Sequence, residues 1–244
     1  MAYIKRPQRR IAVVTGANRG LGLETCRQLA KQGIEVILTS RDRAKGIAAA
    51  KILQNNALNV VFCPLDVTQP SSIESLKRFI IQRFGRVDIL VNNAGIAIDT
   101  SSEDSLLDVK LKTIEDAMTT NVYSSLSICQ ALIPVMKSNN YGRIVNVSSG
   151  AGQLSSINQM NRVYPSYRLS KATLNAYTRI LASEMRGTNI LINAVCPGRV
   201  KTDLGGKNAP RSVEEGANGI VWAATLPDNS PTGNFFRDRI SLSW

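Results

Sequence analysis

Tyr167 and Lys171 stand four positions apart in the segment Ser166-Tyr-Arg-Leu-Ser-Lys171. On a helix, residues i and i+4 share a face, so an ammonium group would lie beside a phenol. A phenol can act as a proton donor, and an ammonium can hold a nucleotide phosphate. The chain contains no histidine, so the commonest acid–base side chain is absent. The Tyr–Lys pair is the best substitute the sequence offers. Six tyrosines and 11 lysines make such a pairing easy to reach by chance, so its weight comes from its neighbours.

The first neighbour is Thr15-Gly-Ala-Asn-Arg-Gly-Leu-Gly22, placed directly after the apolar run Ile11-Ala-Val-Val14. Glycines 16, 20 and 22 allow a tight turn and let backbone N–H groups approach a pyrophosphate at the positive end of the following helix. The Gly-x-x-x-Gly-x-Gly spacing differs from the commoner Gly-x-Gly-x-x-Gly fingerprint. The next apolar run ends in Leu38-Thr-Ser-Arg-Asp42. A free ribose 2′-hydroxyl usually meets a carboxylate there, whereas a 2′-phosphate needs cations. Arg41 and Arg19, from two neighbouring loops, are expected to bracket one phosphate, a task that suits the planar guanidinium. Asp42 is the counter-argument and is expected to point toward solvent. The coenzyme read from these residues is NADP(H).

Apolar runs at residues 10–16, 34–40, 60–67, 87–95, 142–149 and 190–197, with a weaker one at 233–240, read as strands. They are continuous rather than alternating, as in strands covered on both faces. Amphipathic segments lie between them. Residues 20–32 put Leu21, Cys26, Leu29 and Ala30 on one stripe, stopped by Gly33. Ser71-Ser-Ile-Glu74 reads as a capping box opening a helix to about Phe84. Others run near 113–137, 166–186 and 212–226, with Pro134 marking a bend or an end. This alternation predicts an α/β fold: one Rossmann-like, doubly wound, mostly parallel sheet of about seven strands with helices on both faces, over residues 10–244, after a basic N-terminal extension, 1–9.

The 244 residues suit one moderately sized domain. No apolar run approaches the roughly 18 residues of a membrane span, and no signal-peptide core follows the charged N-terminus. Cys26, Cys63, Cys129 and Cys196 are widely spaced in apolar surroundings and read as reduced core thiols. A cytoplasmic protein without a metal site is expected. The net charge is +12, and residues 1–45 hold ten basic and three acidic residues. That bias suits an anionic coenzyme or an acidic partner. Without aromatic–basic interleaving it gives no support to nucleic acid.

Taken together, Thr15-Gly-x-x-x-Gly-x-Gly22, Asn92-Asn-Ala-Gly95, Asn121, Ser149, Tyr167-x-x-x-Lys171 and Pro197-Gly198 resemble the short-chain dehydrogenase/reductase family over essentially the whole chain. Leu-Thr-Ser-Arg-Asp, Val-Asn-Val-Ser-Ser, Cys-Pro-Gly-Arg-Val-Lys-Thr-Asp and Pro231-Thr-Gly-Asn-Phe are most similar to its carbonyl reductases. The resemblance implies reduction of a ketone, aldehyde or quinone. Tyr167 would be the proton donor, and Ser149 (rather than Ser148) would hydrogen-bond the substrate oxygen. Lys171 would hold the nicotinamide ribose, and Asn121 a water in a proton relay.

It also implies coenzyme contacts along the whole strand edge. Gly16, Asn18, Arg19, Gly20, Leu21 and Gly22 would meet the pyrophosphate, and Ser40 and Arg41 the 2′-phosphate. Asp66 and Val67 would flank the adenine, and Asn93, Ala94 and Gly95 the ribose. Pro197, Gly198, Val200 and Thr202 would line the nicotinamide end. An unperturbed phenol lies about three pH units above neutrality, a gap of roughly 4 kcal/mol. One positive charge about 5 Å away offsets roughly 3 kcal/mol at an effective dielectric near 20. Lys171 and an oxidised nicotinamide are therefore expected to bring Tyr167 toward neutral pH.

Seventeen residues separate Ser149 from Tyr167, a few more than is commonest in the family, so Ser155–Pro165 is expected to form an extra loop at the mouth of the site. Tyr164 is followed at i+4 by Arg168 and reads as a pocket wall or surface ring. A homodimer or homotetramer through the 113–137 and 166–186 helices is the family's usual assembly. Two alternatives stand beside the carbonyl reductase. A 3-oxoacyl-carrier-protein reductase would use the basic surface for docking, and an NADP-binding sensor would bind without turnover.

Overall fold

The computed structural model describes residues 9–99, 105–159 and 164–244. All but one residue of the basic extension, and part of the expected loop before Tyr167, therefore lie outside the described residues. Eight strands form a single sheet in the order β3-β2-β1-β4-β5-β6-β7-β8. The first seven are β1 (Ile11–Val14), β2 (Glu35–Ser40), β3 (Val60–Pro64), β4 (Ile89–Asn92), β5 (Gly142–Val147), β6 (Ile190–Val195) and β7 (Phe235–Arg237). They pair in parallel. The weak seventh run turns back on itself instead of continuing, and β8 (Ile240–Leu242) adds antiparallel to β7. The turn is made by Asp238 and Arg239, both with positive φ, which is how a two-residue connection follows the strand twist.

Helices cover both faces. Helix α1 (Gly20–Lys31) and α7 (Val213–Ala224) lie on one side with α2 (Arg43–Gln54), and their apolar stripes meet Ala12, Val14, Val36 and Val145 of the sheet. On the other side α3 (Pro70–Phe84), α5 (Ser124–Ser138) and α6 (Pro165–Glu184) pack on Val13, Ile37, Leu90 and Ile144. Alternate residues of β1 and β4 thus enter opposite cores, which explains why these strands are continuously apolar.

Three expectations need correction. The sequence reading gave no helix at 43–54, yet α2 forms there, with Asp42 as its N-cap accepting from the Lys45 N–H at 3.0 Å. The capping box expected at Ser71–Glu74 does not form. Helix α3 begins two residues earlier, at Pro70 after Gln69, with no side-chain cap, so Ser71 lies inside the helix, while the neighbouring Ser72 Oγ accepts from the Asp66 N–H at 3.0 Å. The reciprocal box instead joins Ser212 and Glu215 at the start of α7. Pro134 lies inside α5 without ending it. The break in the long 111–138 helical run comes earlier, as a π-turn over Thr119–Tyr123 between α4 (Leu111–Met118) and α5.

Candidate active site

Strand order reverses between β1 and β4, and the crevice beyond their carboxyl ends is where a doubly wound sheet binds its ligand. The glycine turn enters it from β1. Gly16 has φ +60°, and a Cβ there would stand 2.9 Å from Ala94 Cα; at Gly22 it would stand 2.7 Å from Gly16 O and 2.6 Å from Asn93 Nδ2. Only glycine fits either position. Asn93 fastens the turn by donating to Thr15 O at 2.8 Å and Gly16 O at 3.1 Å. Thr15 Oγ1 accepts from the Asn93 and Ala94 N–H groups at 3.0 and 2.9 Å. Asn93 is therefore part of the cradle's frame.

The cradle fits a pyrophosphate. Helix α1 begins with no side-chain cap and no acidic residue in its first turn, so its N-terminal donors are free for an anion. Asn18 and Leu21 are half-buried at the turn, with exposed Arg19 between Asn18 and Gly20. Arg19 pairs with Asp203 of the loop after β6, both side chains largely in solvent. Arg41, at the end of β2, is exposed. Asp42 is exposed, and its carboxylate is also committed to the α2 cap and to Lys45 at 3.3 Å. The backbone bond from Lys45 is the main cause holding that carboxyl below the usual range. Ser40 is buried and donates to the Asp42 carbonyl at 2.9 Å.

After β3, Asp66 and Val67 are half-buried; Asp66 Oδ1 closes a local turn by accepting from Thr68 N and Oγ1 at 3.0 and 2.7 Å. At the other end, Gly198 has φ +76° and lies against the Arg211 side chain. Pro197 is half-buried and Val200 buried. Thr202 Oγ1 accepts from the Gly205 N–H at 3.1 Å, in a turn rather than at a helix start. Its methyl would be 3.5 Å from a Cβ at Gly20, so the β6 loop closes over the glycine turn.

The residues expected to handle protons converge from three elements. Ser149 follows β5, caps a short 3₁₀ turn by accepting from the Ala151 N–H at 3.1 Å, and lies near enough to the Tyr167 phenol to lower its pKa. Ser148 is buried and spent on Asn175 Oδ1 at 2.6 Å. Lys171 Nζ lies 5.6 Å from the Tyr167 ring centroid and donates to the Val147 carbonyl at 2.8 Å. Burial pushes the Tyr167 phenol up to about 12, against a lowering by Ser149, and drives the Lys171 ammonium down to about 8.

Burial is the largest influence on the phenol, which is raised rather than brought toward neutral pH. The phenol therefore stays protonated. That is the resting state a proton donor requires.

Asn121 sits in the π-turn, where a widened helical ring re-aims a side chain. It is buried, accepts from the Ile96 N–H at 2.8 Å, and donates to Ile96 O and Ser170 Oγ, both at 2.9 Å. Gly95 lies next to it: a Cβ there would be 3.2 Å from Asn121 Oδ1 and 3.6 Å from Lys171 Nζ. Tyr164 is exposed just before α6. Sequence reasoning missed Asp99, whose carboxylate reaches the first turn of α6; its partners are 67 and 68 positions away, so no local spacing announces it.

The family model for short chain dehydrogenase matches residues 10–212. A (+)-neomenthol dehydrogenase of Arabidopsis thaliana is 39% identical, covering 93% of this chain and 95% of that protein. Carbonyl reductase [NADPH] 3 of Rattus norvegicus is 35% identical over 96% of this chain and 98% of its own. Among solved structures, an NADPH-bound carbonyl reductase from chicken fatty liver superposes with a TM-score of 0.87 at 30% identity, covering 98% and 100% of the two chains.

Proposed function

Because the chain belongs to the short-chain dehydrogenase family, an oxidoreductase family, we propose that it is an NADPH-dependent reductase of ketones, aldehydes or quinones, with Tyr167 as proton donor. The observation that carries this reading is the group of half-buried Ser149 and Tyr167 with buried Lys171 at the carboxyl end of the sheet, beside a cradle at a helix end with no side-chain cap. When bound, the coenzyme supplies the hydride.

The protein's own share is position and protons. The Ser149 and Tyr167 hydroxyls hydrogen-bond the carbonyl oxygen and favour the charge that develops on it. The phenol then gives its proton to that oxygen, and the phenolate is stabilised by the Lys171 ammonium nearby. Asn121 keeps the strand-end loop and α6 in register, and holds the relay water that resupplies the proton through Lys171. Lys171 binds the ribose hydroxyls that bring the coenzyme's reactive ring to this oxygen.

NADP(H) rather than NAD(H) is supported by exposed Arg41 and Arg19, and by an Asp42 already engaged in capping α2. The relatives named for NADPH point the same way. Four free, buried thiols suit a reducing, cytoplasmic setting. Among the described residues no helix is long and apolar enough to cross a membrane. We read the protein as a homo-oligomer through α4–α5 and α6, which carry exposed Leu111, Tyr123 and Ile180.

The test is NADPH consumption, with NADH alongside, over ketones, aldehydes, quinones and 3-oxoacyl thioesters. Turnover of simple carbonyls that prefers NADPH supports the proposal. Turnover confined to thioesters replaces its substrate class. Tight NADPH binding with no turnover on any of them replaces the enzyme by a coenzyme sensor.

A further inference from the structure

The loop after β4 is fastened at three points, and the last of them is the helix of the proton donor. Helix α6 opens with Pro165, and its N-cap residue Tyr164 supplies no side-chain hydrogen bond, so its first N–H groups need an acceptor from elsewhere. Asp99 provides it. Oδ1 accepts from the Ser166 N–H at 2.8 Å, and Oδ2 accepts from the Ser166 hydroxyl at 2.7 Å and the Tyr167 N–H at 3.3 Å. A carboxylate at this place also faces the positive end of the helix.

Three residues earlier on the same loop, Ile96 is gripped through both its N–H and its carbonyl by Asn121. Three residues before that, Asn93 locks the glycine turn. One strap, residues 93–99, therefore runs from the coenzyme cradle to the backbone of Tyr167.

We propose that Asp99 is a positioning residue, which fixes the first turn of α6 so that the Tyr167 hydroxyl stays in register with Ser149 and the cradle. The inference rests on the reading of Tyr167 as proton donor. The body of α6 does not depend on this contact, since buried Leu174, Asn175, Tyr177, Thr178 and Ala182 anchor it farther along. The first turn, which carries Tyr167, is the part that Asp99 holds.

The experiment compares Asp99→Ala and Asp99→Asn with Ser212→Ala, which removes the α7 capping box without touching α6 and serves as a stability control. Four quantities are read: kcat for a reducible carbonyl, NADPH affinity by fluorescence, the solvent deuterium isotope effect on kcat, and backbone hydrogen exchange over residues 165–171. Displacing a reacting group by about 1 Å can cost up to ~10²-fold. Asp99→Ala is thus expected to lower kcat by about 10- to 100-fold, with NADPH affinity within about twofold. Its isotope effect should rise and exchange at 165–171 should quicken. Asp99→Asn, which keeps one acceptor, should lose less, and Ser212→Ala should keep full kcat despite a lower melting temperature.

A folded Asp99→Ala protein with kcat within about twofold of the parent would overturn the proposal. So would equal losses of kcat and NADPH affinity. If the parent protein itself turns over no carbonyl, the functional reading fails separately. Exchange at 165–171 then decides the role of Asp99: unchanged rates overturn it and faster rates uphold it.

Discussion

The inner and outer halves of the site are built by opposite means. Inside, Thr15, Asn93, Asn121, Ser149 and Lys171 are all held by hydrogen bonds to backbone groups, most of them long-range in sequence. Outside, Arg19, Asp203 and Arg41 stand largely in solvent, and the one contact among them is an exposed ion pair. Exposed pairs contribute little to stability, so the rim can change without disturbing the fold. The inner residues are part of the fold. Under the proposed function the difference would separate two tasks: the core would fix where a proton can move, and the rim would select which nucleotide and substrate approach.

Substitutions sharpen that contrast, and the largest effect belongs to the interior. Lys171→Met should lower turnover by roughly 10²- to 10³-fold, the scale of lost acid–base assistance. The same change removes a charge whose burial is unfavourable, so the melting temperature should rise, a pairing that calorimetry and steady-state kinetics can check. A fall in both would place Lys171 among purely structural residues. Ser149→Ala should cost roughly 10²-fold in kcat, as for one lost donor to a developing oxyanion, with NADPH affinity unchanged by fluorescence titration.

The rim should respond more mildly. Arg41→Asp is expected to shift the ratio of NADPH to NADH affinities by roughly tenfold toward NADH, about 1.4 kcal/mol; an unchanged ratio would remove Arg41 from the 2′-phosphate site. Asp203→Asn, which frees Arg19, should alter NADPH affinity by no more than about threefold, in keeping with an exposed pair.

The pH dependence separates the halves again. The Lys171 ammonium, lowered to about 8 by burial, loses its proton in the folded state well before it would in the unfolded chain. Between about pH 8 and the ordinary lysine range the unfolded state binds more protons, so stability contributed by this site rises with pH. Reduction should behave oppositely, with kcat/KM falling above about pH 8 as the ammonium is lost. A profile flat to pH 9.5 would contradict the role given to Lys171.

Much of this site was legible in the sequence because its signals are short-range. The glycine turn, the Tyr–Lys spacing and the continuously apolar strands each rest on signals a few residues long, and a mostly parallel sheet follows from the alternation of strand and helix. Helix α2 was less visible. Its sequence carries Gly46, a poor helix former, retained because a Cβ there would collide with Phe62 at 2.1 Å. The Ser71–Glu74 motif misled, since the helix starts at Pro70, a residue suited to the first helical turn, and Ser71 lies inside it. The π-turn that aims Asn121 has no spacing signature, and Asp99 meets its partners only after the chain has folded. Nor does a residue count reveal desolvation, the largest cause acting on the Tyr167 phenol.

The most direct test of the account is a comparison of Tyr167→Phe with the parent protein, reading NADPH binding by fluorescence and carbonyl reduction by NADPH oxidation on the same samples. The expected result is unchanged binding with turnover reduced by roughly 10²-fold or more. Near-parental turnover in the folded variant would remove Tyr167 from the chemistry and contradict the mechanism built around it.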